Sequence, residues 1–220
     1  MSKQLAEHIG IKTPKWVVAS KNYPLAKIPP FPGYYFVKPR FGGALIGIDE
    51  TCLCRYWDEA IQKAEKFFEE GVEVIVEAFI DGVCFSVPIL NTISGEPIIG
   101  IPHYQTSANA GGIITYSQKR FASEGMERHI SYDEYLNKVL VFLSKQFFIE
   151  MQPCDYARID FIIEKESGIP FFLEVNTMAN LGIHSGFVQS FINSHFRAYN
   201  DIARHIVELG IAKTKGNVKK

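Results

Sequence analysis

Two short apolar runs toward the carboxyl end carry charges at alternate positions, and this pattern restricts the chain more than any other. Arg158-Ile-Asp160-Phe-Ile-Ile is followed, after a turn containing Gly168, by Phe171-Phe-Leu-Glu174-Val-Asn176. Side chains alternate on a strand, so Arg158 and Asp160 share one face while Ile159 and Phe161 take the other. In the second run Glu174 and Asn176 share a face, with Leu173 and Val175 opposite. Residues two apart lie about 6.5–7 Å apart, close enough for their tips to converge on one ion. Burying such charges is costly unless they are paired or bound to a cation. Asp, Glu and Asn supply oxygen ligands, the chemistry a hard ion such as Mg²⁺ prefers. Arg158 could then neutralise a phosphate or pair with one carboxylate. The alternative is an Arg–carboxylate pair on a solvated sheet face.

The rest of the chain alternates strands and helices. Residues 2–9 read as a short helix stopped by Gly10, and Trp16–Ala19 as a strand. Four prolines and a glycine between Tyr23 and Gly33 mark a loop. Tyr34–Lys38 reads as a strand. Trp57–Phe68 reads as a helix, because Ile61, Ala64, Phe67 and Phe68 recur at helical spacing. Val72–Ile80 and Val83–Leu90 read as strands joined in a hairpin at Asp81-Gly82, with Ile98–Ile101 continuing their sheet. Residues 102–130 form a long loop of the kind that is functional or disordered. Tyr132–Phe148 reads as an amphipathic helix, Arg158–Ile163 and Phe171–Asn176 as strands, and residues 186–209 as one closing helix. Strands in hairpins alternating with helices predict α+β layers.

Two further segments suit a nucleotide. Val37-Lys38-Pro39 ends a strand and opens the loop Gly42-Gly43-Ala44-Leu45-Ile46-Gly47, where backbone N–H groups can close on an anion beside a lysine. It is not the P-loop pattern, since the lysine precedes the glycines. Glu77 precedes Ala78-Phe79-Ile80, extended backbone that could bond an adenine edge; taken alone, Glu77 reads as an edge-strand glutamate before a hairpin.

Composition excludes several classes. Lys+Arg total 23 against 24 Asp+Glu, which gives no electrostatic footprint for nucleic acid. No run has the length of a membrane span, and the amino end lacks a signal-peptide pattern. Cysteines 52, 54, 84 and 154 sit mostly in apolar runs and read as reduced thiols of a cytoplasmic protein. Cys52 and Cys54 lack a second ligand pair, the six histidines show no metal spacing, and His184-Ser185 lacks a nucleophile elbow.

In this order, the Lys38 segment with its glycine loop, Val74-Ile-Val-Glu77 through Asp81-Gly82, Arg158-Ile-Asp160-Phe and Leu173-Glu174-Val-Asn176-Thr177 resemble the ATP-grasp half of D-alanine–D-alanine ligases. His184-Ser185 falls about where that family has a His-Ser pair. The resemblance spans roughly residues 8–210. It implies an α+β ATP-grasp fold of two lobes, residues 1–80 with the phosphate loop and adenine hinge and 81–220 with the metal site. Nucleotide would bind between them, with no N-terminal pre-ATP-grasp domain. It further implies that Lys38 contacts ATP phosphates, that Glu77 and the backbone of Ala78 and Ile80 hold adenine, and that Lys119 is a second phosphate lysine. Asp160, Glu174 and Asn176 would ligate Mg²⁺ (or Mn²⁺), with Arg158 stabilising the charged intermediate. The implied reaction phosphorylates a carboxylate and lets an amine attack the acyl phosphate, on an amino acid or short peptide. Alternatives are a non-catalytic ATP-binding module, or a half-enzyme completed by a partner domain in trans; a homodimer is the other partnership considered. The sequence departs from the ligases at Ala44-Leu45 (paired serines there), Ala179-Asn180 (Pro-Gly there) and Cys84 (a glutamate near the ribose there). The first ATP lysine would lie before Met1, with Lys3 a loose substitute.

Overall fold

The strands sort into two antiparallel sheets; helices pack on one face of the smaller and on both faces of the larger. The structure is a computed structural model and describes residues 2–42, 47–107 and 126–217. The smaller sheet is made of β1 (Trp16–Ala19), β2 (Tyr35–Pro39), β3 (Leu53–Cys54) and β4 (Val74–Ala78), in the order β1-β4-β2-β3. The larger holds β5 (Gly82–Leu90), β6 (Ile98–Ile99), β7 (His103–Ser107), β8 (Met126–Ile130), β9 (Tyr156–Glu164) and β10 (Pro170–Asn176). Its order is β10-β9-β5-β7-β8, with β6 pairing β5.

The smaller sheet belongs to a unit made of Pro14–Asp81 and Thr106–Glu127. One amphipathic helix, Trp57–Glu69, covers it, with Trp57, Ala60, Ala64, Phe67 and Phe68 buried. Glu59 in its first turn accepts from the amides of Arg55 at 2.8 Å and Tyr56 at 3.3 Å, fixing the entry of the chain. The buried stripe packs on Tyr35, Val37, Val74 and Val76, the inward face of β2 and β4. Cys52 and Cys54 sit in this core, and burial pushes the Cys54 thiol up to about 11.

The other unit takes in the chain up to Thr13, Gly82–Gln105 and the chain from Arg128 onward. Ordered along the chain, its helices and the one above are α1 (Ser2–His8), α2 (Trp57–Glu69), α3 (Glu134–Glu150), α4 (Gly186–Ile192) and α5 (Tyr199–Asn217). Gly10, at φ +79°, turns the chain out of α1 in a conformation that other residues resist. Asp133 caps α3 by accepting from the Leu136 amide at 2.9 Å. One face of the sheet, with Phe85, Val87, Ile159, Phe161 and Phe172, packs on Ala6 of α1 and on Leu140, Phe147 and Phe148 of α3. Each fully buried Phe or Ile there contributes about 1.5–3 kcal/mol. On the opposite face a second cluster joins Leu90 and Tyr156 to Phe187, Val188 and Phe191 of α4 and Ile202 of α5.

Three expectations from the sequence differ from the structure. β4 and β5 do not form a hairpin: they belong to different sheets, and Asp81-Gly82 carries the chain from one to the other. Gly82 is required there by crowding instead of a turn, since a Cβ on it would lie 2.1 Å from the Ile163 carbonyl oxygen on β9. The closing helix is two helices, because the chain leaves α4 at Asn193 and bonds from His195 and Phe196 back to the Phe191 carbonyl end it. The expected loop at residues 102–130 begins and ends as strands β7 and β8. Among the described residues no helix is long and apolar enough to cross a membrane.

Gly82→Ala is expected to destabilise the protein by about 2–3 kcal/mol, because backbone cannot yield as a side chain does. Thermal unfolding followed by circular dichroism should show a drop of roughly 4–12 °C. An unchanged melting temperature would show that β5 and β9 approach less closely at this point.

Candidate functional site

Alternation decides which side chains leave the two cores. In the smaller sheet Phe36 lies opposite Glu77 and Lys38 opposite Ile75, so Lys38 and Glu77 are diagonal neighbours on the face away from α2. Val37 and Val76, between them along the strands, are fully buried on the other face. The Lys38 ammonium sits 3.1 Å from a Glu77 carboxylate oxygen, and Glu77 is only 3% exposed. Residues assigned from the sequence to separate phosphate and adenine roles thus form one ion pair. The Ala78 amide donates to the Lys15 carbonyl at 2.7 Å, so its N–H is already bonded within the unit. Ile80 follows the strand, half-buried.

In the larger sheet the decisive feature is a register shift. Phe172 pairs with Phe161, and two residues later Glu174 pairs with Asp160, so Leu173 is an inserted residue. Without the shift Glu174 would point the way Phe172 does, into the core. With it, Glu174 stands opposite Asp160 and Asn176 opposite Arg158, all on the face away from α3. Directly opposed residues have Cβ atoms about 4.5–5.5 Å apart, within side-chain reach of each other. Glu174 is exposed, and the Asn176 side-chain oxygen accepts from the Met178 amide at 2.9 Å.

Asp160 is 9% exposed and heavily bonded. Arg158 Nε donates to its two oxygens at 2.8 and 3.1 Å, and a terminal guanidinium nitrogen donates at 2.7 Å. The Ser86 hydroxyl on β5 adds a bond of 2.7 Å. These contacts occupy about as many directions as a carboxylate has lone pairs. Asp160 in turn holds the Arg158 guanidinium above its ordinary pKa, burial opposing it and Glu174 adding to it. The Arg–carboxylate pair considered from the sequence is therefore present, with Asp160 buried and Arg158 half-buried. Ser86 was not singled out in the sequence: it meets Asp160 only through the pairing of β5 with β9, across 74 residues.

Two carboxylates and an amide oxygen make an all-oxygen donor set. That suits Mg²⁺, which takes one or two protein carboxylates and completes its shell with water and substrate phosphates. It fits provided Arg158 releases part of its hold on Asp160. Among the described residues, no group of three or more His, Cys, Asp or Glu side chains could hold a metal. Lys119 and the loop residues 43–46 lie outside the described residues.

The family described as "D-ala D-ala ligase C-terminus" matches residues 5–208. The chain belongs to this family. D-alanine–D-alanine ligase B of Clostridium perfringens is 28% identical over 218 residues, covering 97% of this chain and 67% of that ligase. The ligase of Maridesulfovibrio salexigens is 26% identical, with 97% and 68% covered. Among solved structures, the Bacillus anthracis D-alanine–D-alanine ligase complexed with ATP superposes with a TM-score of 0.75 at 22% identity, over 97% of this chain and 66% of that one. The VanG D-Ala:D-Ser ligase of Enterococcus faecalis gives 0.72 at 20%, over 94% and 60%. The fold is thus the ATP-grasp fold of these ligases, and the chain spans about two thirds of the length of the first two relatives.

Arg158→Met should cost about 3–5 kcal/mol, because it strands a buried carboxylate. Adding Asp160→Asn should restore much of that loss, since the charge goes with its partner. Urea unfolding of both variants checks this; a double variant no more stable than Arg158→Met would show that Asp160 does not depend on Arg158.

Proposed function

We propose that the chain is the nucleotide- and metal-binding part of an ATP-dependent ligase that joins a carboxylate to an amine through an acyl phosphate, acting on an amino acid or short peptide. The observation that carries this reading is the register shift in β10, which sets Glu174 and Asn176 against Asp160 and Arg158 on one sheet face. A sheet needing only stability would keep an apolar residue at such a place. The ligase names of its relatives, one of them complexed with ATP, support the same reading.

On this reading Asp160, Glu174 and Asn176 hold Mg²⁺ or Mn²⁺. The ion, when bound, supplies charge neutralisation and orientation to the transferring phosphate. Lys38 contacts the phosphates, exchanging its Glu77 partner for phosphate oxygens, with Lys119 a second phosphate contact. Glu77 and the backbone of Ala78 and Ile80 take the adenine. The terminal phosphoryl group passes from ATP to a carboxylate oxygen and ADP leaves. The amine then attacks the acyl carbon, phosphate departs with the C–O bond's electrons, and the amine's proton goes to water. Arg158, turned from Asp160 to the acyl oxygen, offsets the negative charge that develops there.

The acceptor is proposed to differ from D-alanine. Where the ligases resembled have Pro-Gly, this chain has Ala179-Asn180. Ala179 is buried against the α4 cluster, and the Asn180 side chain accepts from the Gly182 amide at 2.8 Å. This local turn reshapes the backbone that would face the acyl group.

Thermal unfolding with ATP, Mg²⁺, both, and both plus EDTA tests the proposal. Nucleotide at about 100 times its dissociation constant adds roughly 2.7 kcal/mol, or about 5–10 °C for a chain this size. The shift should require both ligands, and Asp160→Asn should lose the metal-dependent part while keeping the fold. No shift at millimolar ATP and Mg²⁺ would overturn the proposal.

A further inference from the structure

β10 lies at one edge of the larger sheet, so among the described strands its register is set by pairing with β9 alone. A slip by one residue would return Glu174 and Asn176 to the core face. The structure meets this liability at the residue before the shift. The Phe172 amide donates to the Lys12 carbonyl at 2.7 Å. The Phe172 carbonyl accepts from the Thr13 hydroxyl at 3.0 Å and from the Lys3 ammonium at 3.4 Å. Lys3 also donates to the Thr13 hydroxyl at 2.9 Å. Lys3 is only 5% exposed, an unusual burial for an ammonium group. Its burial is hard to account for by helix packing alone, because an apolar residue would serve α1 better.

We infer that Thr13 and Lys3 are positioning residues for the metal site: they grip the Phe172 carbonyl, hold the inserted residue in place and so present Glu174 and Asn176 toward Asp160. The inference rests on the reading of those three residues as metal ligands. Lys3, taken from the sequence as a loose substitute for a phosphate lysine, acts here on the strand that carries two of the ligands. The amino-terminal segment that carries Lys3 and Thr13 thereby belongs to the site's support.

The test compares the affinity of the full chain for a non-hydrolysable ATP analogue in Mn²⁺ with its affinity in EDTA, by titration calorimetry. Thr13→Val removes the hydroxyl at nearly constant volume, and Thr13→Ser keeps it. The ratio of the two affinities should fall about tenfold or more in Thr13→Val, the loss usual when a group that orients a metal ligand is removed. It should stay within about twofold of wild type in Thr13→Ser. A merely destabilised chain would lower both affinities together and leave their ratio alone. If Thr13→Val does not fold, Lys3→Met against Lys3→Arg carries the same comparison. An unchanged ratio in the variant lacking the donor would overturn the inference while the metal reading stands. A wild-type chain whose nucleotide affinity is the same in Mn²⁺ and EDTA would overturn the metal reading, and this inference with it.

Discussion

Asp160 is an almost fully buried carboxylate between the apolar Ile159 and Phe161, and much of the larger sheet is arranged to tolerate it. Removing an ionised carboxylate from water costs several kcal/mol unless its oxygens are bonded. Arg158 supplies that two residues away on the same strand, and Ser86 supplies it from the neighbouring one. The opposite face repeats none of this: Ala157, Ile159 and Phe161 are fully buried against α1 and α3. One strand therefore separates a dry core from a polar face, and the polar face is where chemistry can occur.

The smaller sheet follows the same rule on a smaller scale. Val37 and Val76 close the core with α2, and Lys38 and Glu77 pair on the other side. Both units thus pair a basic and an acidic side chain on a sheet face, away from α2 in the smaller and away from α3 in the larger. On the proposed reading, the ion pair in each holds groups that would bind the charged ligand, so binding would exchange one set of charge contacts for another. That exchange keeps the desolvation cost of the empty site low.

Helices and strands were legible where the pattern was local. The helix α2 was expected at Trp57–Phe68 and runs Trp57–Glu69; β9 and β10 were expected within a residue or two of where they lie. Errors came where partners are distant. Asp81-Gly82 carries the composition of a hairpin turn, but its strands pair elsewhere, and Gly82 answers to the backbone of β9. The 186–209 stretch carries a nearly continuous apolar pattern, yet the chain leaves α4 at Asn193 and packs Phe196 and Tyr199 on the cluster around Phe191. Ser86 was invisible because nothing within its own strand distinguishes it from a half-exposed serine.

The residue types at the site, their order and their strand placement were determined by the sequence alone, because alternation and the chemistry of oxygen ligands are local properties. That Glu174 and Asn176 share a face was likewise readable from their spacing. Which face they share was not. A strand pattern has two solutions, and the inserted Leu173 selects between them through pairing with β9. Pairing depends on contacts across the sheet and on the amino-terminal segment that bonds Phe172, so only the tertiary structure could decide it.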